Sequence, residues 1–535
     1  MCAAKSDVVK IASVLSTGVE KVLAANKKAN MTNTECGKQQ SRSALVQILL
    51  GLIANFSSLA PSMSLGFSAI ALPALLAENN PHKLDDSQSS WVASIASVAT
   101  PIGCFISGPI SDRYGRKSAL ISINLVCFLG WIVIAVAYYV PQHQYLILLI
   151  GRIITGLSTG LASMPAAVYM AEVSSPSLRG MFTTWNATSF SLGVLLIYAL
   201  GWILQDNWGI AAAITSIFPC VGLVLVLIYM SESPSWLITK NRVEEAKKSM
   251  CKIFGADDYN TSVQEEIETL IFNKEKSRLS ENFTNSTESQ FTRNLKSLLR
   301  PTCLKPFALI LTYFFFQQFS GVFVIVFYAV DIVKEVKVTM DPYFAICLIA
   351  ATRMVAAIIV GFLSKRFGRR PLSLVSGGGM TLCMIILAGY LVFITEGRIS
   401  KEQFSSLGWL PISLLMTYFF ASTLGFLTMP FAMAAEVFPG KIRGMATGLI
   451  TCLAYLFNFI IVKVYPMMMK EMGNYKVFFF YGAMSLMGTI FIALFLPETK
   501  GKTLQEIEEY FGRKKNRKSD NGEGEEIITL KASAA

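Results

Sequence analysis

Apolar runs long enough to cross a lipid bilayer recur twelve times along this chain of 535 residues. A helix needs roughly 20 such residues to span the hydrocarbon core with its backbone hydrogen bonds satisfied internally. The runs predict helices near 45–77, 89–110, 118–140, 145–173, 181–204, 208–231, 305–332, 343–363, 372–395, 408–435, 444–468 and 474–496. A single apolar run reads equally well as a buried core helix, but twelve in succession exceed what one soluble core can hide. With 53% hydrophobic and only 15% charged residues, the chain is too apolar for a water-facing surface. The fold class expected is all-α integral membrane.

Basic residues set the orientation. With both termini in the cytosol, roughly 37 of the 47 Lys and Arg fall on the cytosolic side, and the opposite topology breaks the positive-inside rule. The net charge of +12 is thereby explained without nucleic acid, and the tail GRKKNRK at 512–518 suits anionic lipid. Residues 1–43 hold no apolar signal segment, so the first helix must direct insertion. The ten cysteines form no CxxC pair, and neither a disulfide nor a metal site is expected.

The helices divide six and six around a polar stretch. The expected organisation is a cytosolic tail at 1–43, a six-helix bundle at 44–231, a cytosolic helical linker at 232–304, a second bundle at 305–496 and a cytosolic tail at 497–535. In the linker, NRVEEAKKSMCKIFG reads as a helix, with Glu244 and Lys248 at supporting i,i+4 spacing. The halves echo each other. GPISDRYGRK (Gly108 to Lys117) and GFLSKRFGRR (Gly361 to Arg370) share the pattern Gly-x-x-x-x-Arg-x-Gly-Arg after the second and eighth helices. AEVSSPSLRG (Ala171 to Gly180) and AEVFPGKIRG (Ala435 to Gly444) each set a glutamate seven residues before an arginine. Two such echoes half a chain apart indicate a duplicated fold.

Together with GRIITG (Gly151 to Gly156), SESPSWL (Ser231 to Leu237), QQFSG (Gln317 to Gly321) and PETKGKTLQEIE (Pro497 to Glu508), these motifs resemble the sugar porter family of the major facilitator superfamily. That family includes GLUT-type glucose uniporters and insect facilitated trehalose transporters. The resemblance covers about 45–511 and implies twelve helices in two six-helix bundles. It also implies movement of a sugar, trehalose or hexose-like, across the plasma membrane by alternating access.

The paired motifs predict a gate at the cytosolic mouth. Arg113 and Arg116 are expected beside Glu172 and Glu232, and Arg366, Arg369 and Arg370 near Glu436 and Glu498; Arg179 and Arg443 complete the set. Such pairs are shielded only where the bundles close, which lets them lock one state. The plainer alternative is that these charges only set topology, although that rule requires no acids. Asp112 is expected at a positive helix end, and Gly108 where backbones approach closely.

A sugar site needs many paired hydrogen bonds and flat apolar faces. Gln317 and Gln318 supply amides, although buried Gln also glues helices together. By resemblance Tyr328 is an outer aromatic gate and Asn458 a site residue. Several positions depart from the family: Phe323, Ala187 and Ala454 stand for amides, Phe431 for a tryptophan, and Arg353 for a neutral amide. Arg353 inside a helix either reads an anionic or very polar solute, or pairs with a carbonyl or snorkels.

Where proton-coupled relatives carry an aspartate in the first helix, this chain has Ser68, and His82 and His143 fall in external loops. Facilitated diffusion is therefore expected. The alternatives are a proton-coupled symporter, a carrier of another polar or amphipathic solute, and a non-transporting nutrient sensor. Without a P-loop, Gly-x-Ser-x-Gly elbow or metal cluster, neither an enzyme nor a cofactor is expected.

Overall fold

The computed structural model describes residues 42–254 and 301–502 apart from 79, 206, 397–406 and 439–441, together with 264, 266–272, 274–275, 506 and 510–511. Within them, eleven helices are long and apolar enough to cross a membrane: Arg42–Leu75, Asp86–Tyr114, Arg116–Tyr139, Pro141–Val173, Trp185–Leu204, Trp208–Tyr229, Pro342–Ser364, Arg369–Thr395, Leu410–Ala434, Gly444–Met472 and Asn474–Phe495. Their ends lie within about four residues of those read from the sequence. Large apolar side chains cover their outer faces, as at Leu125, Leu129, Ile132 and Val136 of the third crossing. An exposed stripe of that kind at helical spacing suits lipid.

The seventh crossing is not one helix but three, Pro301–Phe319, Val322–Phe327 and Ala329–Glu335. Gly321 causes the first break: its φ is +92°, and a Cβ there would meet the Tyr481 ring at 2.6 Å. The carbonyl of Ser320, at that break, accepts the Tyr418 hydroxyl at 2.8 Å. Membranes tolerate irregular backbone where protein supplies such partners. The fourth and tenth crossings are broken too, restarting as Pro165–Val173 and Met429–Val437, each with a proline in its first turn.

In the first half the second crossing packs on the fourth, and the third on the fourth and sixth; in the second half the ninth packs on the twelfth and tenth. The two halves meet mainly where the second crossing lies against the eleventh and the fifth against the eighth. Polar contacts between them gather away from the linker. Lys463 Nζ donates to Ser90 Oγ at 2.7 Å, and the Tyr198 hydroxyl to the Val326 carbonyl at 2.7 Å. The halves are drawn together at the end opposite the linker.

The linker helix forms at Val243–Phe254 and is amphipathic, burying Ala246 and Met250 against Trp236, Leu237 and Ile238, and Ile253 in the core of the first half. The pair expected between Glu244 and Lys248 does not form. Glu244 instead meets Lys247 at 2.9 Å, one residue closer.

Candidate functional site

At the linker end the second crossing stops at Gly115, whose φ of +106° is strained for any other residue. A Cβ at Gly115 would overlap the Glu232 carboxylate. That carboxylate accepts the backbone N–H groups of Arg116 at 2.7 Å, Lys117 at 3.1 Å and Ser233 at 3.0 Å. A carboxylate on unpaired N–H groups at a helix start meets the positive end of the helix dipole. Arg116 extends over this start. Its Nε lies 3.0 Å and its Nη2 2.7 Å from Glu172 oxygens, while Nη1 reaches Ser111 O at 2.8 Å and Asp112 Oδ1 at 3.1 Å.

The second half repeats this arrangement. A Cβ at Gly368 would overlap Glu498, which accepts the N–H groups of Arg369 at 3.0 Å and Arg370 at 3.1 Å. Arg369 Nη2 reaches Glu436 Oε1 at 2.7 Å, and Glu436 Oε2 accepts the Thr499 hydroxyl at 2.8 Å. Burial alone would raise the Glu498 carboxyl, but the N–H groups of Lys500, Arg369, Arg370 and Thr499 hold it below its usual 4.5. Lys117 Nζ donates to the Leu227 carbonyl, as the Arg370 guanidinium does to that of Ala493.

Several expected members of the gate stand elsewhere. Arg113 is exposed over the Tyr114 ring at 5.5 Å and joins no ion pair among the described residues. Arg366 is exposed and, among the described residues, contributes only its carbonyl, to Lys500 Nζ at 2.6 Å. Gly108 is not a close-approach glycine, since a Cβ there meets nothing within 4 Å; the backbones of the second and fourth crossings approach at Gly103, Gly156 and Gly160 instead. The helix start expected to hold Asp112 holds Glu232 instead, and the Asp112 side chain, 78% exposed, pairs with Arg116. Glu232 and Glu498 act on backbone N–H groups rather than on guanidinium groups. Both Arg–Glu pairs lie within one half, so neither bridges the bundles. The side chains of Arg179 and Arg443 lie outside the described residues.

Between the halves a chain of hydrogen bonds crosses the buried interior. Ser97 Oγ donates to Asn458 Oδ1 at 2.7 Å, and Asn458 Nδ2 to Gln318 Oε1 at 3.0 Å. Gln318 Nε2 donates to Gln317 Oε1 at 3.3 Å, and Gln317 Nε2 to the Phe426 carbonyl at 2.8 Å. The chain thus runs from the second crossing to the break in the tenth, and all four side chains are buried. Gln317, Gln318 and Asn458 come together as the sequence suggested; Ser97 was missed.

The remaining expected contacts stand apart from this chain. The Tyr328 ring lies 4.8 Å from Tyr465, and its hydroxyl donates to the Val462 carbonyl at 3.3 Å. Phe431, 39% exposed, sets its ring edge to face against Phe314 at 4.9 Å. Phe323 is buried, and Arg353 lines a separate small cavity.

Arg152 is the residue that sequence reading overlooked. It is fully buried, and its three nitrogens donate to Val92 O at 3.1 Å, Ser64 Oγ at 3.1 Å, Ser68 Oγ at 2.9 Å and Ala93 O at 3.1 Å. It also donates to the Ser64 carbonyl at 2.5 Å. The signal was present in GRIITG, because an arginine inside a crossing helix marks a functional site until shown otherwise. The cage is made of neutral oxygens, and Ser68 stands in it.

Residues 25–511 match the protein family described as Sugar (and other) transporter. The chain is 30% identical over 453 residues to the facilitated trehalose transporter Tret1-2 homolog of Drosophila sechellia, covering 84% of this chain and 88% of that one. It is equally similar to the facilitated trehalose transporter Tret1 of Polypedilum vanderplanki, with 84% and 85% covered. Among solved structures it resembles the major facilitator superfamily proton:xylose symporter XylE bound to 6-bromo-6-deoxy-D-glucose, with a TM-score of 0.68, 21% identity and coverage of 88% and 100%. The inward open conformation of XylE from E. coli gives a TM-score of 0.66 at 22% identity, over 87% and 98%. At that identity the likeness shows the fold, twelve crossings in two bundles.

Proposed function

This chain belongs to the sugar (and other) transporter family, and from that premise we propose that it carries trehalose or a hexose-like sugar across the plasma membrane by facilitated diffusion. The observation that carries the reading is the amide and hydroxyl chain Ser97–Asn458–Gln318–Gln317 at the meeting of the two halves. Amides both donate and accept, which suits the mixed demands of sugar hydroxyls. In the state described here the four side chains satisfy one another, so an entering sugar exchanges its hydroxyls for those bonds. Opening toward the linker end and toward the opposite end then alternates around this fixed centre.

The relatives named above are facilitated trehalose transporters, which supports trehalose as the first substrate to test. Arg152 supports facilitation over proton coupling. Its partners are hydroxyls and carbonyls, none of which gains or loses a proton near neutral pH. Both termini and the linker are placed in the cytosol on the distribution of Lys and Arg. Impermeant labelling of Cys251 from outside intact cells would overturn that topology.

Phe323, Ala187 and Ala454 remove hydrogen-bonding groups that the family resemblance places around a hexose. Each such bond is worth roughly 0.5–1.5 kcal/mol, so simple glucose is expected to be carried about one to three orders of magnitude less well than the natural substrate. The test is uptake by purified protein in liposomes across labelled trehalose, glucose and other sugars. Saturable trehalose uptake with weak glucose uptake is the expected result; glucose as the best substrate would show that these positions do not set selectivity.

A further inference from the structure

Among the described residues the Arg–Glu pairs of the linker end each stay within one half. At the opposite end a lysine crosses between the halves. Lys463, in the eleventh crossing, places its Nζ 2.7 Å from Ser90 Oγ, 3.3 Å from the Ser87 carbonyl oxygen and 4.2 Å from the centre of the Trp91 ring, all in the second crossing. Phe459, one turn away on the same helix face as Lys463, sets its ring 5.8 Å from that of Trp91. A lysine near the end of a crossing helix ordinarily snorkels to water. Lys463 instead turns its ammonium to the other half, and no ion pair among the described residues involves it.

The second and eleventh crossings run antiparallel and keep register: Ser90 meets Lys463, Ser97 meets Asn458, and the Pro101 carbonyl lies 3.6 Å from Cys452 Sγ. The lysine contact stands seven residues, or roughly 10 Å, beyond Ser97 toward the end opposite the linker. A solute coming from that end must therefore pass it before reaching the amide chain. The second seam between the halves closes at the same end, where the Trp202 ring of the fifth crossing lies 5.2 Å from that of Phe344 in the first turn of the eighth.

We propose that Lys463, seated on Trp91 and Ser90, is the latch that holds the path closed at the end opposite the linker. Its contacts exist only while the two crossings meet, so the closed state alone gains them, and water takes over the ammonium when they part. Lys463 shares no hydrogen bond with the amide chain and acts as a positioning residue, through the relative placement of the halves. The inference rests on the alternating opening proposed above and is independent of which sugar is carried.

The test is hydrogen–deuterium exchange of the purified full chain without sugar, parent against Lys463→Gln. Amides at 86–97 and 458–472 are expected to exchange about fivefold faster in the variant, as the open population rises. Those of the second seam, at 198–204 and 342–350, quicken with them although Lys463 belongs to neither element, while those at 108–117 and 361–370 slow. Lys463→Arg, which keeps a cation to stack on the ring, stays within about twofold of the parent. Should Lys463→Gln fail to fold, Trp91→Leu, with the lysine kept, is expected to give the same pattern, and its failure to do so overturns the proposal equally. Faster exchange confined to the neighbours of Lys463, unchanged exchange throughout, or an Arg variant as open as the Gln variant also overturns the latch. Opening of both seams with no slowing at the linker end keeps the latch and contradicts the alternating opening instead.

Discussion

The two halves are near-copies at the linker end and unlike each other at the centre. At the linker end, Gly115, Arg116, Glu172 and Glu232 find counterparts in Gly368, Arg369, Glu436 and Glu498, down to the carboxylate seated on the next helix start. At the centre the first half offers a caged arginine and the second offers amides. Seating a carboxylate on the next helix start serves both copies even though the turn glycine differs, with φ +106° at Gly115 and −73° at Gly368, whereas the central polar groups of the two halves are of different chemistry. Duplication thus accounts for the matched linker ends, and divergence for the middle.

The comparison is broken most severely at Arg152. Arg152→Ala leaves four residues in two helices without their shared donor, and uptake is expected to fall by about 100-fold, or roughly 3 kcal/mol. Arg152→Lys should fail to restore it, because an ammonium cannot present a planar fork to acceptors on opposite sides. Recovery with Lys, measured as initial uptake in liposomes, would mean that charge alone matters there.

Gly115→Ala tests the turn of the first half, whose positive φ Gly368 does not share. It combines a positive φ with overlap on Glu232 and is expected to cost about 1–3 kcal/mol of stability, read as a lower Tm, while Gly108→Ala stays within about 0.5 kcal/mol.

The twin clusters also differ in strength. Arg116 meets two acids through three nitrogens, whereas among the described residues Arg369 meets one acid and leaves its Nε unpaired. Arg116→Ala is therefore expected to lower uptake about fivefold and Arg369→Ala about twofold. Equal losses would erase the asymmetry.

The smallest effect is on pH. Glu498 is held below its usual 4.5 when folded, so its contribution is present above that value and lost as pH falls through the folded one. The Tm deficit of Glu498→Gln relative to the parent should stay constant from pH 7 to pH 5 and shrink only in more acidic solution. A deficit that shrinks already at pH 6 would mean that the carboxylate is not so held.

Much of this was legible beforehand, for reasons specific to each element. Crossing helices announce themselves because lipid demands length and apolarity together, and the duplicated motifs bring the right groups of arginines and glutamates together, within which Arg116–Glu172 and Arg369–Glu436 are the pairs that form. Sequence spacing did not separate Arg113 from Arg116, which differ only in which side of a turn they leave. Nor did it show that Glu232 seats on backbone N–H groups, since those carry no side-chain signature. The broken seventh crossing was read as one helix because Gly321 sits in a strongly apolar run. Ser97 was invisible because its partner Asn458 lies 361 residues away and only packing of the halves brings them together.

The central claim is that the carrier runs without a proton gradient, and initial uptake of labelled trehalose into proteoliposomes with and without an imposed pH difference tests it most directly. Equal initial rates, with internal sugar rising to the external concentration and no further, are the expected result. Accumulation above the external concentration that collapses when an ionophore dissipates the gradient would contradict it.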